Sequence, residues 1–229
     1  MQMIKMVDEQ FAYFYDKKGF GPALDANAAS QSQIQRYRGR LPAKLLEYWS
    51  EYGFAGYGRG RIWMTDPAEY SDVLNAWLHQ TRFHATDKYY VIGRSAFGNL
   101  MVWGTETGPG LSIDCAWGMI FPSDRSRWMN EGKGDLLISN WLAGMQMDSL
   151  DQTDEKDVLL FDRAEKALGP LANDEMYGFI PALAAGGHRR LDSLKRVKAV
   201  EHLMFLAQLG KPEVMIDIVR EAKDRGLWK

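Results

Sequence analysis

Only one cysteine, Cys115, occurs in the 229 residues, which excludes an internal disulfide and any cysteine-rich zinc centre. It sits in an apolar stretch, as an inert buried thiol would. Histidine is almost as scarce, and His79, His84, His188 and His202 show no metal-binding spacing to one another or to a carboxylate. His79 and His84 flank an expected helix end, where the ring answers the helix dipole. No GxSxG, P-loop or HExxH motif is present. The sequence therefore predicts no catalytic residue, no metal ligand and no cofactor.

Long apolar runs are missing too. Nothing approaches the ~18–20 continuous apolar residues of a membrane-spanning helix. Lys5, Asp8, Glu9, Asp16 and Lys17 interrupt the N-terminal segment, so no secretory signal is read there and a cytoplasmic location is expected. An excess of positive charge is also absent. Lys+Arg 28 against Asp+Glu 30 gives a net charge of -2, which argues against a direct nucleic-acid binder held by a basic surface.

What the chain does have is apolar bulk: 46% hydrophobic residues, with eight tryptophans. A chain of this size buries roughly 70% of the surface exposed by its unfolded form, enough for a core without staples. Val7, Phe11, Phe14 and Tyr15 recur at helical spacing, after Ile4, and Leu45, Leu46 and Trp49 do so between Pro42 and Gly53. A short strand is expected over 61–65. Asp66, Pro67 and Glu69 then combine an N-cap acceptor, a first-turn proline and a reciprocal glutamate, which predicts a helix opening at Asp66. It would bury Tyr70, Val73, Leu74, Trp77 and Leu78.

From residue 88 to 121 the period shortens. Runs at 89–92, 100–103, 111–115 and 119–121 are rich in β-branched and aromatic residues and punctuated by glycine, which reads as an antiparallel meander. Helical spacing returns at Leu136, Leu137, Trp141 and Leu142, again over 158–168, and in two further helices over about 191–209 and 212–225. The fold class is therefore α+β: N-terminal helices, a central antiparallel β meander and a helical C-terminal part. A division into 1–125 and 126–229 follows, with both parts packed into one unit.

Two segments stand out chemically. Residues 148–157 carry Asp148, Asp151, Asp154, Glu155 and Asp157 against Lys156 alone. Such a run can be a solvated helix approach, or an electrostatic lure for a basic protein. The second segment is Gly186, Gly187, His188, Arg189 and Arg190, before the helix expected from 191. It is either a flexible turn or an anion site made of backbone N–H groups and arginines. In that enzyme or sensor alternative the ligand is a phosphorylated small molecule, with Asp174 or Glu175 as acid or base. A protein-interaction adaptor is a further alternative.

Phe161-Asp162-Arg163-Ala164, Leu168-Gly169-Pro170 and the stretch from Asn173-Asp174-Glu175-Met176-Tyr177-Gly178-Phe179 to Pro181-Ala182-Leu183 and Gly186-Gly187 form a distinctive series. It resembles the C-terminal domain of immunity proteins that guard bacteria against their own type VI secreted DNase toxins. Leu41-Pro42, Tyr48-Trp49, Gly60-Arg61-Ile62-Trp63, Asp66-Pro67-Ala68-Glu69-Tyr70 and Trp77-Leu78 resemble the GAD-like domain that precedes it in those proteins. Gly93-Arg94-Ser95, Phe97-Gly98-Asn99-Leu100 and Trp103-Gly104 extend the match, and are also similar to the strand-turn-strand of SUKH-superfamily immunity proteins. Ala184-Ala185 departs from the larger apolar residue expected there. The resemblance implies a cytoplasmic binding protein that occludes a cognate nuclease toxin without turnover. The acidic residues 148, 151, 154, 155 and 157 are then the candidate partner contacts, with no direct nucleic-acid or membrane contact.

Overall fold

In the computed structural model, which describes residues 7–217 and 221, the first turn is fastened by Asp8. Its carboxylate accepts the Phe11 N–H at 2.7 Å and caps α1 (Glu9–Ala12), which continues as a π-helical turn over Tyr13–Lys17. Ser30 and Gln33 close a capping box on α2 (Gln31–Tyr37). α3 (Ala43–Tyr52) follows Pro42 and buries Leu45, Leu46, Tyr48, Trp49 and Tyr52. The expected strand is β2 (Ile62–Met64), paired to the short β1 (Gly56–Tyr57).

The helix expected from Asp66 begins five residues later, as α4 (Ser71–Leu78). Asp66 still accepts the Ala68 N–H at 3.0 Å, but in a turn before the helix. The reason is tertiary. The same carboxylate is buried and also takes hydrogen bonds from the Tyr37 hydroxyl and from Gln33 Nε2 of α2, so it anchors the turn to another helix. The apolar face is as the spacing predicted, with Tyr70, Val73, Leu74, Trp77 and Leu78 all buried.

β3 (Tyr89–Ser95), β4 (Asn99–Gly104), β5 (Gly108–Asp114) and β6 (Met119–Pro122) form the meander, each antiparallel to the next. The seven-stranded sheet runs β1-β2-β3-β4-β5-β6-β9, its last strand being Glu213–Val214. Alternation divides its side chains between two layers. Tyr90, Ile92 and Trp103 pack with α1, α3 and α6 (Gly134–Gly144), whereas Val91, Val102 and Ile113 pack with α4 and α8 (Ala199–Leu206). A third cluster joins Phe97 at the β3–β4 turn to Phe161 and Ala164 of α7 (Phe161–Leu168) and to Tyr177 and Phe179. Gly98 holds φ +84 in that turn, and a Cβ there would meet Met176 Cε at 2.5 Å.

The C-terminal part contains more strand than its spacing predicted. α5 (Ser126–Asn130) precedes α6, but residues 194–198, expected within a helix, form β8 (Leu194–Lys198) against β7 (Glu175–Phe179). Only 199–206 of that expected helix is α-helical, as α8. The final expected helix, from 212, begins instead as β9 (Glu213–Val214), parallel to β6; most of the remainder lies outside the described residues. Within the α+β class, then, the chain adds a two-stranded sheet and a parallel edge strand.

The C-terminal elements are tied directly to the meander. Arg94, fully buried on β3, donates from Nε to the Tyr70 hydroxyl at 2.9 Å and from Nη2 to the Asn173 carbonyl at 2.6 Å. The Tyr177 N–H donates to the Ala96 carbonyl at 2.8 Å. Arg61 lies over the Phe161 ring at 4.0 Å and pairs with Asp162 at 2.8 Å.

Candidate partner-binding surface

The two segments singled out by their chemistry lie against each other. The Glu155 N–H donates to the Arg189 carbonyl at 3.0 Å, and Glu155 Oε1 meets His188 Nδ1 at 3.0 Å. Arg189 Nη1 donates to Thr153 Oγ1 at 3.0 Å. With α7 they line a groove of about 980 Å³, where Asp154, Glu155 and Asp192 face Lys156, Arg163, Arg190 and Lys195. The groove is mixed in sign.

Each acid has its own situation. Asp151 Oδ1 accepts the N–H groups of Gln152, Leu160 and Phe161 at 2.7, 3.2 and 2.8 Å, which caps the first turn of α7 from a distance. Burial pushes its carboxyl up against the pull of those donors. Asp154 Oδ2 pairs with Arg163 at 2.5 Å, while Oδ1 accepts from the N–H groups of Lys156 and Val158. The Arg163 guanidinium and then those donors hold Asp154 down at about 2. Both carboxylates shape the loop. Asp148 and Asp157 are exposed and form no ion pair among the described residues; Glu155 is exposed with His188 as its partner.

The glycine-arginine segment does not lead into an α-helix. A single 3-10 turn, Leu183–Ala185, ends at Gly186 with φ +83, and Arg190 precedes another, Leu191–Ser193, before β8. No helix dipole is therefore directed at an anion here. The Gly187 N–H donates to Ala182, and Arg190 pairs with Asp192 at 2.8 Å. Asp174 is paired with Lys198 at 2.5 Å, and Glu175 accepts the Ala172 N–H at 3.1 Å.

Sequence spacing did not reveal the aromatic and aliphatic members of this face. Trp117 stands 41% exposed in the turn between β5 and β6, with Arg189 over its ring at 5.5 Å and its Nε1 donating to Gln152 at 3.4 Å. Val158 and Leu159 are exposed in the loop that follows Gln152, where Leu159 bridges Thr153. The available signal was Gly118, whose φ of +66 marks the turn that carries Trp117.

Elsewhere, Cys115 is buried, which raises its thiol well above the ordinary value. Among the described residues no group of three or more His, Cys, Asp or Glu side chains could hold a metal ion. His79 Nδ1 lies 2.8 Å from the Ala76 carbonyl at the end of α4, as expected for a ring at a helix terminus. Among the described residues no helix is long and apolar enough to cross a membrane.

Comparison with known proteins finds two family matches in chain order. Residues 9–117 match the GAD-like domain, and residues 137–210 match the C-terminal domain of the type VI secretion immunity protein Tdi1. No curated protein matches. Among solved structures, Atu4351 from Agrobacterium tumefaciens is similar, with a TM-score of 0.75 and 23% identity over 84% of this chain and 87% of that one. That likeness shows the fold.

Proposed function

Since the chain belongs to the type VI secretion immunity family that joins a GAD-like domain to a Tdi1-type C-terminal domain, we propose that it neutralises a cognate secreted nuclease toxin by direct stoichiometric binding in the cytoplasm. The observation that carries this reading is the order of the two matches, which together span both layers of the sheet and the loops beside it. The reading needs a surface, and the face around Trp117 has the right chemistry.

A nuclease must present cations to hold phosphates. Outward carboxylates on an inhibitor steer such a surface into register and speed encounter. Asp148, Glu155 and Asp157 supply that field, whereas Asp151 and Asp154 hold the loop in shape. Exposed charge pairs contribute only ~0–1 kcal/mol each. Affinity therefore falls to the apolar anchors: Trp117, pre-oriented by Gln152 and Arg189, and the exposed Val158 and Leu159. Buried on docking, these groups would exclude water around the charged contacts.

The test is a search of the neighbouring genes for a secreted nuclease toxin, then a titration of the purified chain into it, reading DNA cleavage and complex mass together. A one-to-one complex that abolishes cleavage supports the reading. Full cleavage at micromolar inhibitor, with no complex, sinks it.

A further inference from the structure

A second cleft shares no lining residue with the groove just described. It holds about 490 Å³, within the range of sites for small ligands, and lies between α2, α4 and the start of β3. Leu74, Leu78 and Phe83 give it an apolar wall, and Tyr89 meets Phe83 edge-on at 6.4 Å. Four basic side chains line it: Arg36, Arg40, His84 and Lys88. None of the four forms an ion pair among the described residues.

The one acid on the lining, Asp87, is already committed. Its two oxygens accept from the hydroxyls of Thr105 and Thr107 and from the N–H groups of Glu106 and Thr107. Those bonds outweigh its burial and hold the carboxyl below the usual carboxylate range, so Asp87 stays negative at the edge of the cleft, outnumbered by Arg36, Arg40 and Lys88. Tyr90 adds a further aromatic ring to the wall, nine-tenths buried, with Lys88 Nζ 5.9 Å from its centroid.

Apolar and aromatic walls suit a flat ring, and a guanidinium pair suits a phosphate. We propose that this cleft binds a small molecule joining a phosphate group to a flat ring, of the mononucleotide class. The phosphate would lie between Arg36 and Arg40, with Lys88 adding charge. The ring would lie against Tyr89 and Phe83. The cleft shares no lining residue with the groove beside the acidic loop.

The experiment is calorimetric titration of the full chain with each of the four ribonucleoside 5′-monophosphates, and separately with inorganic phosphate and with adenosine. At least one mononucleotide should bind with one-to-one stoichiometry. Inorganic phosphate and adenosine should each bind about tenfold more weakly or worse, since each offers half of the contacts. The double variant Arg36→Gln, Arg40→Gln should weaken binding at least about tenfold, both sites being exposed and tolerant of change. The proposal is overturned by no saturable binding up to about 1 mM, by equal affinity for phosphate alone, or by binding indifferent to the double variant.

Discussion

Glu155 donates its backbone N–H to the Arg189 carbonyl and its side chain meets His188, so the acidic loop and the arginine-bearing loop are one hydrogen-bonded unit. The two arginines lie beside the five acids and single lysine of the run, so the net charge of the joined unit is about half that of the acidic run alone. Asp148 and Asp157 are the acids of the run left exposed without an ion pair among the described residues.

Steering of the toxin should therefore depend on those two. Asp148→Lys with Asp157→Asn should slow association about three- to tenfold at low salt and flatten its salt dependence, with dissociation little changed. Asparagine is chosen at 157 because the native φ is +57, a conformation that asparagine tolerates. Stopped-flow association across a salt series reads this out. Rates indifferent to both changes would move the interface elsewhere.

Asp151 should behave as a structural residue. Asp151→Ala leaves the Phe161 N–H without its acceptor at the start of α7, while Leu160 keeps the Gln152 carbonyl, and should cost about 1–2 kcal/mol in urea unfolding. Asp151→Asn keeps an acceptor oxygen and should recover most of that loss.

Trp117→Ala should weaken the toxin complex by at least about 2 kcal/mol, as removal of an anchoring tryptophan does. The free protein should keep its fold, since this ring lies at the rim of the sheet. Affinity unchanged in the variant would remove Trp117 from the proposed face.

Phe179 makes the opposite case. It is 3% exposed in the cluster with Phe97, Phe161 and Tyr177. Phe179→Ala should cost about 3–5 kcal/mol through the cavity it leaves. Unchanged melting would mean that the cluster collapses onto the space.

Burial holds the His202 imidazole below its ordinary value of 6.5. Below that pH the unfolded chain takes the proton first, so stability falls as the solution is acidified through about 6.5 and stops falling once the folded ring also protonates. Urea midpoints at about pH 7.5 and 5.5 should show this slope in the native chain and a shallower one in His202→Gln. An equal slope in both would assign it to other groups.

Much of the fold was legible because its elements carry their own periods. The β-branched and aromatic runs at 89–92 and 100–103 marked strands, and their pleat sets Tyr90 and Trp103 on one face of the sheet and Val91 and Val102 on the other. Where elements abut without punctuation, the period failed. Leu191, Leu194 and Val197 lead into Val200 and Leu203 at intervals that suit a helix, yet pairing of Leu194 with Phe179 draws the first part into β8. Asp66 shows a different failure. Its local signature was complete, but Tyr37 and Gln33, distant in sequence, claim the same carboxylate. The charged segments were visible as composition; their contact with each other was not, because no local pattern encodes which loops meet.

The buried reach of Arg94 to the Asn173 carbonyl, with Tyr177 bonded to Ala96 and β9 bonded along β6, bears on how such chains diversify. A genetic exchange that gave this GAD-like half the C-terminal half of a distant relative would have to match a guanidinium to a carbonyl and a strand to an edge. Most such exchanges would strand a charge in the interior. New toxin specificity should therefore accumulate by substitution in the loops around Trp117 and Glu155, and the two halves should be inherited together as one unit of selection.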